Sequence, residues 1–351
     1  MNHLPGHALR RRDEEFSAAE IAAAARTRRL LTLELELSRA CNLSCLYCYA
    51  EAGRAGPAEL ALAEACDAVA QAQALGARKI IVLGGGEPLC YPALREVVEF
   101  LAARSLDVEL FTNGTLLDRT TAEFLYRHRV QVVVKLNSRR AAVQDELAGA
   151  PGTLRAIERG LAALGAAGYP DPEHSLGVAT IVCRQNLAEI PALWRWARRE
   201  GIEPYVETLT IQGRARAHPE LLVGSRETEA LFAELSRIDH AEFARDWRPY
   251  PPLAGSSCRR HLYSCTVTAT GEVLPCPGLD LPLGNLRRTT LAAILATHPV
   301  VRQLRNIYDE IRGPCRTCEF HGTCYGCRGN AWQLTGDYLQ SDPTCWRVNG
   351  A

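Results

Sequence analysis

Cys41, Cys45 and Cys48 stand in one short run, CNLSCLYC. Three thiolates so spaced hold a zinc ion or an iron–sulfur cluster. A structural zinc normally closes with a fourth protein ligand, whereas a four-iron cluster on three cysteines leaves one iron free for a small molecule. Eight more cysteines, Cys258, Cys265, Cys276, Cys315, Cys318, Cys324, Cys327 and Cys345, crowd the C-terminal region, and Cys66, Cys90 and Cys183 stand apart. The N-terminus lacks an apolar signal segment, so the expected compartment is the cytoplasm, where fourteen cysteines argue for metal rather than disulfides. Lys135 is one of only two lysines, with Lys79, in a chain that otherwise uses arginine, and it lies in an apolar strand. A compact cation that can shed its proton differs from a guanidinium. It reads as a carboxylate anchor or an acid/base, or as a lysine snorkelling from a strand end.

These residues need a scaffold. Between the two cysteine sets the chain alternates strand-like and helix-like segments: LTLELELS, KIIVLGGGEP, DVELFTNGT, VQVVVKLNS, LGVATIVCRQN and PYVETLTIQGRA, separated by amphipathic stretches. Six such steps predict an α/β fold with a parallel sheet, curved or closed as a barrel. Functional groups then gather at the C-terminal ends of the strands, where the three-cysteine loop follows the first strand. Cys183 ends the fifth strand and shares a face with Ala179 and Ile181. Cys66 and Cys90 read as structural, Cys66 on the buried side of a helix.

With its aromatic Tyr47 before the third cysteine, the run resembles the signature of the radical S-adenosylmethionine (SAM) superfamily. The resemblance extends along the strand ends from Leu31 to Arg216. GGGEP supplies Gly85, Gly86 and Glu87 for the methionine amino group, and FTNGT supplies Asn113 and Gly114. VKLNS departs from the family by Lys135, Asn137 and Ser138, with Ser138 a hydroxyl donor to SAM. The resemblance implies a partial (β/α)6 barrel, a SAM-binding 4Fe–4S cluster on Cys41, Cys45 and Cys48, one-electron cleavage of SAM, and a flavodoxin- or ferredoxin-type reductant. The C-terminal cysteines resemble the SPASM extension, with two auxiliary 4Fe–4S clusters. Carried over, that pattern assigns Cys258, Cys265, Cys276 and Cys327 to the first, and Cys315, Cys318, Cys324 and Cys345 to the second. The expected organisation is an N-terminal extension (1–30), the barrel (31–216), a connecting segment (217–257) and the SPASM domain (258–351).

Forty basic and forty acidic residues leave no net charge and no basic stripe, which argues against nucleic acid. No apolar run is long enough to span a membrane. The chain resembles the superfamily's aminoglycoside-pathway epimerases and dehydrogenases, which implies a carbohydrate substrate. Hydrogen abstraction followed by return from Cys183 would invert a carbon centre; oxidation of a secondary alcohol and peptide maturation are the alternatives. Glu207 is a third catalytic candidate, and Asp280, Arg214 and Arg216 are candidate contacts for a polar substrate. Pro277, where peptide-modifying relatives often carry Asp, argues against peptide chemistry.

Overall fold

The structure, a computed structural model, describes residues 15–348. Helices α1 (Ala18–Thr27), α2 (Leu62–Ala74), α3 (Leu94–Ala103), α4 (Arg119–Arg127), α5 (Ala141–Ala148), α6 (Thr153–Ala167) and α7 (Ile190–Arg199) interleave with six strands. The strands are β1 (Thr32–Ser38), β2 (Lys79–Gly85), β3 (Asp107–Thr112), β4 (Gln131–Lys135), β5 (Leu176–Val182) and β6 (Glu203–Thr208). They pair in chain order, all parallel, as the six-step alternation predicts. Every residue of β1 is buried, as expected where helices cover one face and the barrel interior lies on the other. Its TLELELS alternation divides the two faces. Leu33, Leu35 and Leu37 enter the main hydrophobic core, while Glu34 and Glu36 take the inner side.

The C-terminal region continues this sheet. β7 (Ser264–Val267) runs parallel to β1, and β8 (Glu272–Leu274) and β9 (Gly284–Asn285) follow antiparallel, giving the order β6-β5-β4-β3-β2-β1-β7-β8-β9. The other edge, β6, is covered by the chain at 252–254: Thr208 N–H donates to Pro252 O and Ala254 N–H to Val206 O, both at 2.9 Å. Arg260 then reaches Glu34 of β1 at 2.6 Å and Tyr205 Oη of β6 at 3.5 Å. One segment thus laces the two sides of the open barrel.

Three elements lie outside the expected pattern. The expected N-terminal extension holds α1, opened by a capping box between Ser17 and Glu20; residues 1–14 of it lie outside the described residues. The connecting segment carries α8 (Ser225–Phe243), packed on α7 through Trp194 and Phe232. Between β4 and β5 the chain folds α5 ahead of α6, in a stretch whose short AAVQDELA run shows little apolar striping. Helices α9 (Leu291–Thr297), α10 (Pro299–Arg305), α11 (Ile307–Glu310) and α12 (Arg328–Thr335) complete the C-terminal region. No described helix is long and apolar enough to cross a membrane.

Candidate active site

The three-cysteine loop is held from three sides. From β2, the GGG turn packs so closely that a Cβ at Gly86 would collide with Ala40 O, and one at Gly85, where φ is +62°, would approach the Glu36 carboxylate to 2.9 Å. Glycine is needed here for contact between backbone segments of the protein itself. From α5, the helix C-terminus accepts two loop amides: Ser44 N–H donates to Ala148 O (3.2 Å) and Leu46 N–H to Leu147 O (3.0 Å). Gly149 follows at φ +68°, and a Cβ there would lie 2.5 Å from Ser44 O. After β6, Arg214 donates its backbone N–H to Cys48 O (3.0 Å) and its guanidinium to Cys45 O (3.3 Å) and Ala52 O. Arg214 therefore belongs to the loop's support rather than to substrate recognition.

The strand ends are tied in the same way. Glu87 is buried and accepts from the Thr112 hydroxyl (2.6 Å), Asn113 N–H (2.6 Å) and Leu89 N–H (3.0 Å). Burial pushes its carboxyl up, against these three bonds. Asn113 donates to Asn42 Oδ1 at 2.9 Å, joining β3 to the cysteine loop. Asn137 accepts from Ile181 N–H at its side chain and from the Asn186 amide at its carbonyl, each at 2.9 Å, stitching β4 to β5. Ser138 departs from its expected role. Its side chain is buried, donates to Glu189 and accepts from Arg140 N–H, so its one proton is committed inside the protein.

Lys135, Cys183 and Glu207, far apart in sequence, come together beside the cysteine loop. Lys135 Nζ lies 4.0 Å from Glu207 Oε1 and 5.3 Å from the Tyr47 ring centroid. Burial holds its pKa below that of ordinary lysine, while Glu207, Cys183 and Cys45 pull the other way. Cys183 packs with Leu147, Leu209 and Tyr47, and burial pushes its thiol up to about 12. Lys79 sits at the opposite end of the strands, between Glu15 and Glu109 at 2.7 Å each. Asp280 and Arg216 lie 3.5 Å apart, and Asp280 accepts from Trp332 and Gln333. Cys66 and Cys90 are half-buried, so Cys66 is less enclosed than its helical position suggests.

Sequence reasoning missed the inner carboxylates. Glu34 accepts from Arg260 and from the Thr266 hydroxyl (2.7 Å), and Glu36 accepts from Tyr49 (2.8 Å). The signal was the polar phase of TLELELS, in which every second residue faces inward.

The cysteines fit iron–sulfur ligation. Leu43 N–H points at Cys41 Sγ and Ala52 N–H at Cys48 Sγ, both at 3.4 Å, and Gly326 N–H at Cys324 Sγ at 3.3 Å. Amide donors to sulfur are among the features that tune bound clusters. Cys324 shares its surroundings with Cys315, Cys318 and Cys345, and Cys276 shares its own with Cys258 and Cys327. Cys258 also packs against Phe111, Val133, Ala179 and Tyr205 on the inner face of β3–β6.

Residues 35–197 match the radical SAM superfamily, and residues 258–319 match the SPASM iron–sulfur cluster-binding domain. The chain is 30% identical over 338 residues to an AdoMet-dependent heme synthase of Methanosarcina barkeri, covering 88% of this chain and 94% of that protein. It is 30% identical over 336 residues to the PqqA peptide cyclase of Gluconobacter oxydans, covering 90% of each. Among solved structures, SuiB of Streptococcus suis bound to S-adenosylmethionine superposes with a TM-score of 0.67 at 17% identity, over 93% of this chain and 80% of that one, a likeness of fold.

Proposed function

We propose, for a chain that belongs to the radical SAM superfamily and carries its SPASM extension, that the barrel interior oxidatively modifies a peptide. When bound, the cluster on Cys41, Cys45 and Cys48 supplies one-electron cleavage of SAM to a hydrogen-abstracting radical, and the C-terminal clusters supply a sink for one electron. The chain's own residues supply the rest. Lys135 is an amine held beside the loop, 4.0 Å from Glu207, and is suited to a carboxylate. Glu207, against it, is suited to take the proton released when the substrate is oxidised. The end of α5 holds the loop through Ser44 and Leu46.

The observation that carries oxidation over redox-neutral inversion is the position of Cys258. It packs on the inner face of β3–β6, so this thiol borders the side of the sheet whose rim holds Lys135 and Glu207. The peptide rests on the relative named a PqqA peptide cyclase, matched over nine-tenths of both chains. That likeness outweighs Pro277. The expected aminoglycoside substrate gains no such support, and inversion through Cys183 remains a separate, testable role for that thiol. A second reading, a tetrapyrrole substrate, is favoured by the relative named a heme synthase.

The test is reconstituted protein with SAM and a chemical reductant, offered any short peptide encoded beside its gene, a porphyrin, or an aminoglycoside. Formation of 5′-deoxyadenosine with loss of two hydrogens from the peptide supports the proposal. Turnover confined to the porphyrin or the sugar overturns it.

A further inference from the structure

Four cysteines were expected at the first auxiliary cluster, but the strand register separates one of them. β7 pairs with β1 as Leu33↔Cys265, Glu34↔Thr266 and Leu35↔Val267. Leu33 and Leu35 face outward into the core beneath the helices, and Glu34 faces inward. Partners in register share a face, so Cys265 points outward with Val267, and Thr266 inward. The Thr266 hydroxyl on Glu34 fixes this phase. β8 repeats it: Val273, opposite Val267, is in the core, and Leu274 lies opposite Thr266. Cys276 lies just past β8, in a turn bridged to Leu279.

The surroundings agree. Cys276 lies within electrostatic reach of Arg260, Cys327 and Cys258, all on the inner side or joined to it. Among the described residues Arg305 and Glu34 bear on Cys265 and no other cysteine does, whereas Glu34 also bears on Cys276; Cys265 lines a small cavity with Pro275, Leu304 and Arg305 under α9 and α10. Bringing Cys265 inward would need a one-residue slip of β7, which would turn Thr266 away from Glu34 and bury Glu34 without that donor. The carboxylates that bear on Cys276 and Cys327 are already engaged. Glu34 holds Arg260 and Thr266, and Asp342 accepts from Cys327 N–H, Thr344 N–H and the Thr344 hydroxyl.

We propose that the first auxiliary cluster is anchored by three thiolates, Cys258, Cys276 and Cys327, with Cys265 outside it, and that its fourth iron takes an oxygen or nitrogen donor from solvent or substrate. The proposal rests on the reading that the C-terminal cysteines hold clusters, and the test separates the two.

The whole chain is reconstituted anaerobically as wild type, Cys276→Ala, Cys265→Ala and, matched to the apolar outer face, Cys265→Val. Iron is counted and the reduced clusters are followed by electron paramagnetic resonance. Wild type and at least one Cys265 variant should hold about twelve irons, and Cys276→Ala should lose about four. Loss of cluster iron in both Cys265 variants, with folding retained by circular dichroism, overturns the proposal. Iron near four in the wild type overturns the cluster reading itself. In a Cys41→Ala/Cys45→Ala/Cys48→Ala background, oxygen-labelled water should couple magnetically to the remaining reduced clusters if solvent is the donor. Nitrogen-labelled imidazole, the probe for a substrate donor, should displace that coupling with its own. Absence of both couplings overturns the open iron.

Discussion

Arg214→Ala tests whether the three-cysteine loop is held by residues outside its own motif. The substitution removes two guanidinium bonds, to Cys45 O at 3.3 Å and to Ala52 O, and leaves the backbone bond to Cys48 O in place. The first bond is long and the side chain is half-buried, so the two together contribute about 2–3 kcal/mol rather than the full value of two charge-assisted bonds. At about 1.4 kcal/mol per tenfold, the ordered loop becomes roughly 30- to 150-fold less favoured against its frayed forms. Iron should fall from about twelve toward about eight per chain, with the auxiliary signals intact and SAM cleavage lost. Arg214→Lys, which can reach one carbonyl, should lie between. Arg216→Ala is the control, because Arg216 serves Gln333 and Asp280. Full iron and wild-type SAM cleavage in Arg214→Ala would refute the clamp.

Gly149→Ala, which meets both a positive φ and Ser44 O at 2.5 Å, should destabilise by more than about 1 kcal/mol and deplete the same cluster, seen as a lower melting temperature and reduced iron. Cys41→Ala, Cys45→Ala or Cys48→Ala should each abolish 5′-deoxyadenosine formation; cleavage that survives any of them means the SAM site is misassigned. Cys183→Ala should still cleave SAM, and if Cys183 returns hydrogen, the wild type alone will place solvent deuterium in product. Burial, with Arg260, Arg328 and Arg305 alongside, pushes His261 down to about 3 from 6.5. The unfolded ring therefore takes a proton that the folded ring refuses, so this contribution is present above pH 6.5 and is lost as pH falls, by about 1.4 kcal/mol per unit. Urea midpoints measured from about pH 7 down to about pH 5 should decline less steeply in His261→Asn.

The barrel was legible because hydrophobic periodicity and glycine-rich strand ends are local signals. The meeting of Lys135, Cys183 and Glu207 was legible for the same reason: each ends or nearly ends a strand, and parallel strands bring their ends to one rim. What escaped depended on partners distant in sequence. Ser138 reads as a free hydroxyl until Glu189, on the next connection, claims it. Arg214 reads as a surface cation until the cysteine loop folds against it. α5 was missed because its residues gain order from capping that loop rather than from an apolar stripe of their own. The resemblance to the SPASM pattern grouped Cys265 with Cys276, whereas the pleat of β7 turns it to the face of Leu33.

The expected boundary before Cys258 separates sequence motifs more than physical parts. β1 has β2 on one side and β7 on the other, so without the C-terminal region the first strand of the barrel would present an open edge. Glu34 would lose both its partners, Arg260 and Thr266, and a buried carboxylate without them is costly. The same Arg260 touches β6 through Tyr205, in the cluster where Cys258 packs. A distortion at Cys258 is therefore transmitted to β1 and β6, the two sides of the chamber that also position the cysteine loop and Glu207. Through this one segment, the chain that carries Cys258 is in direct contact with β1 and β6.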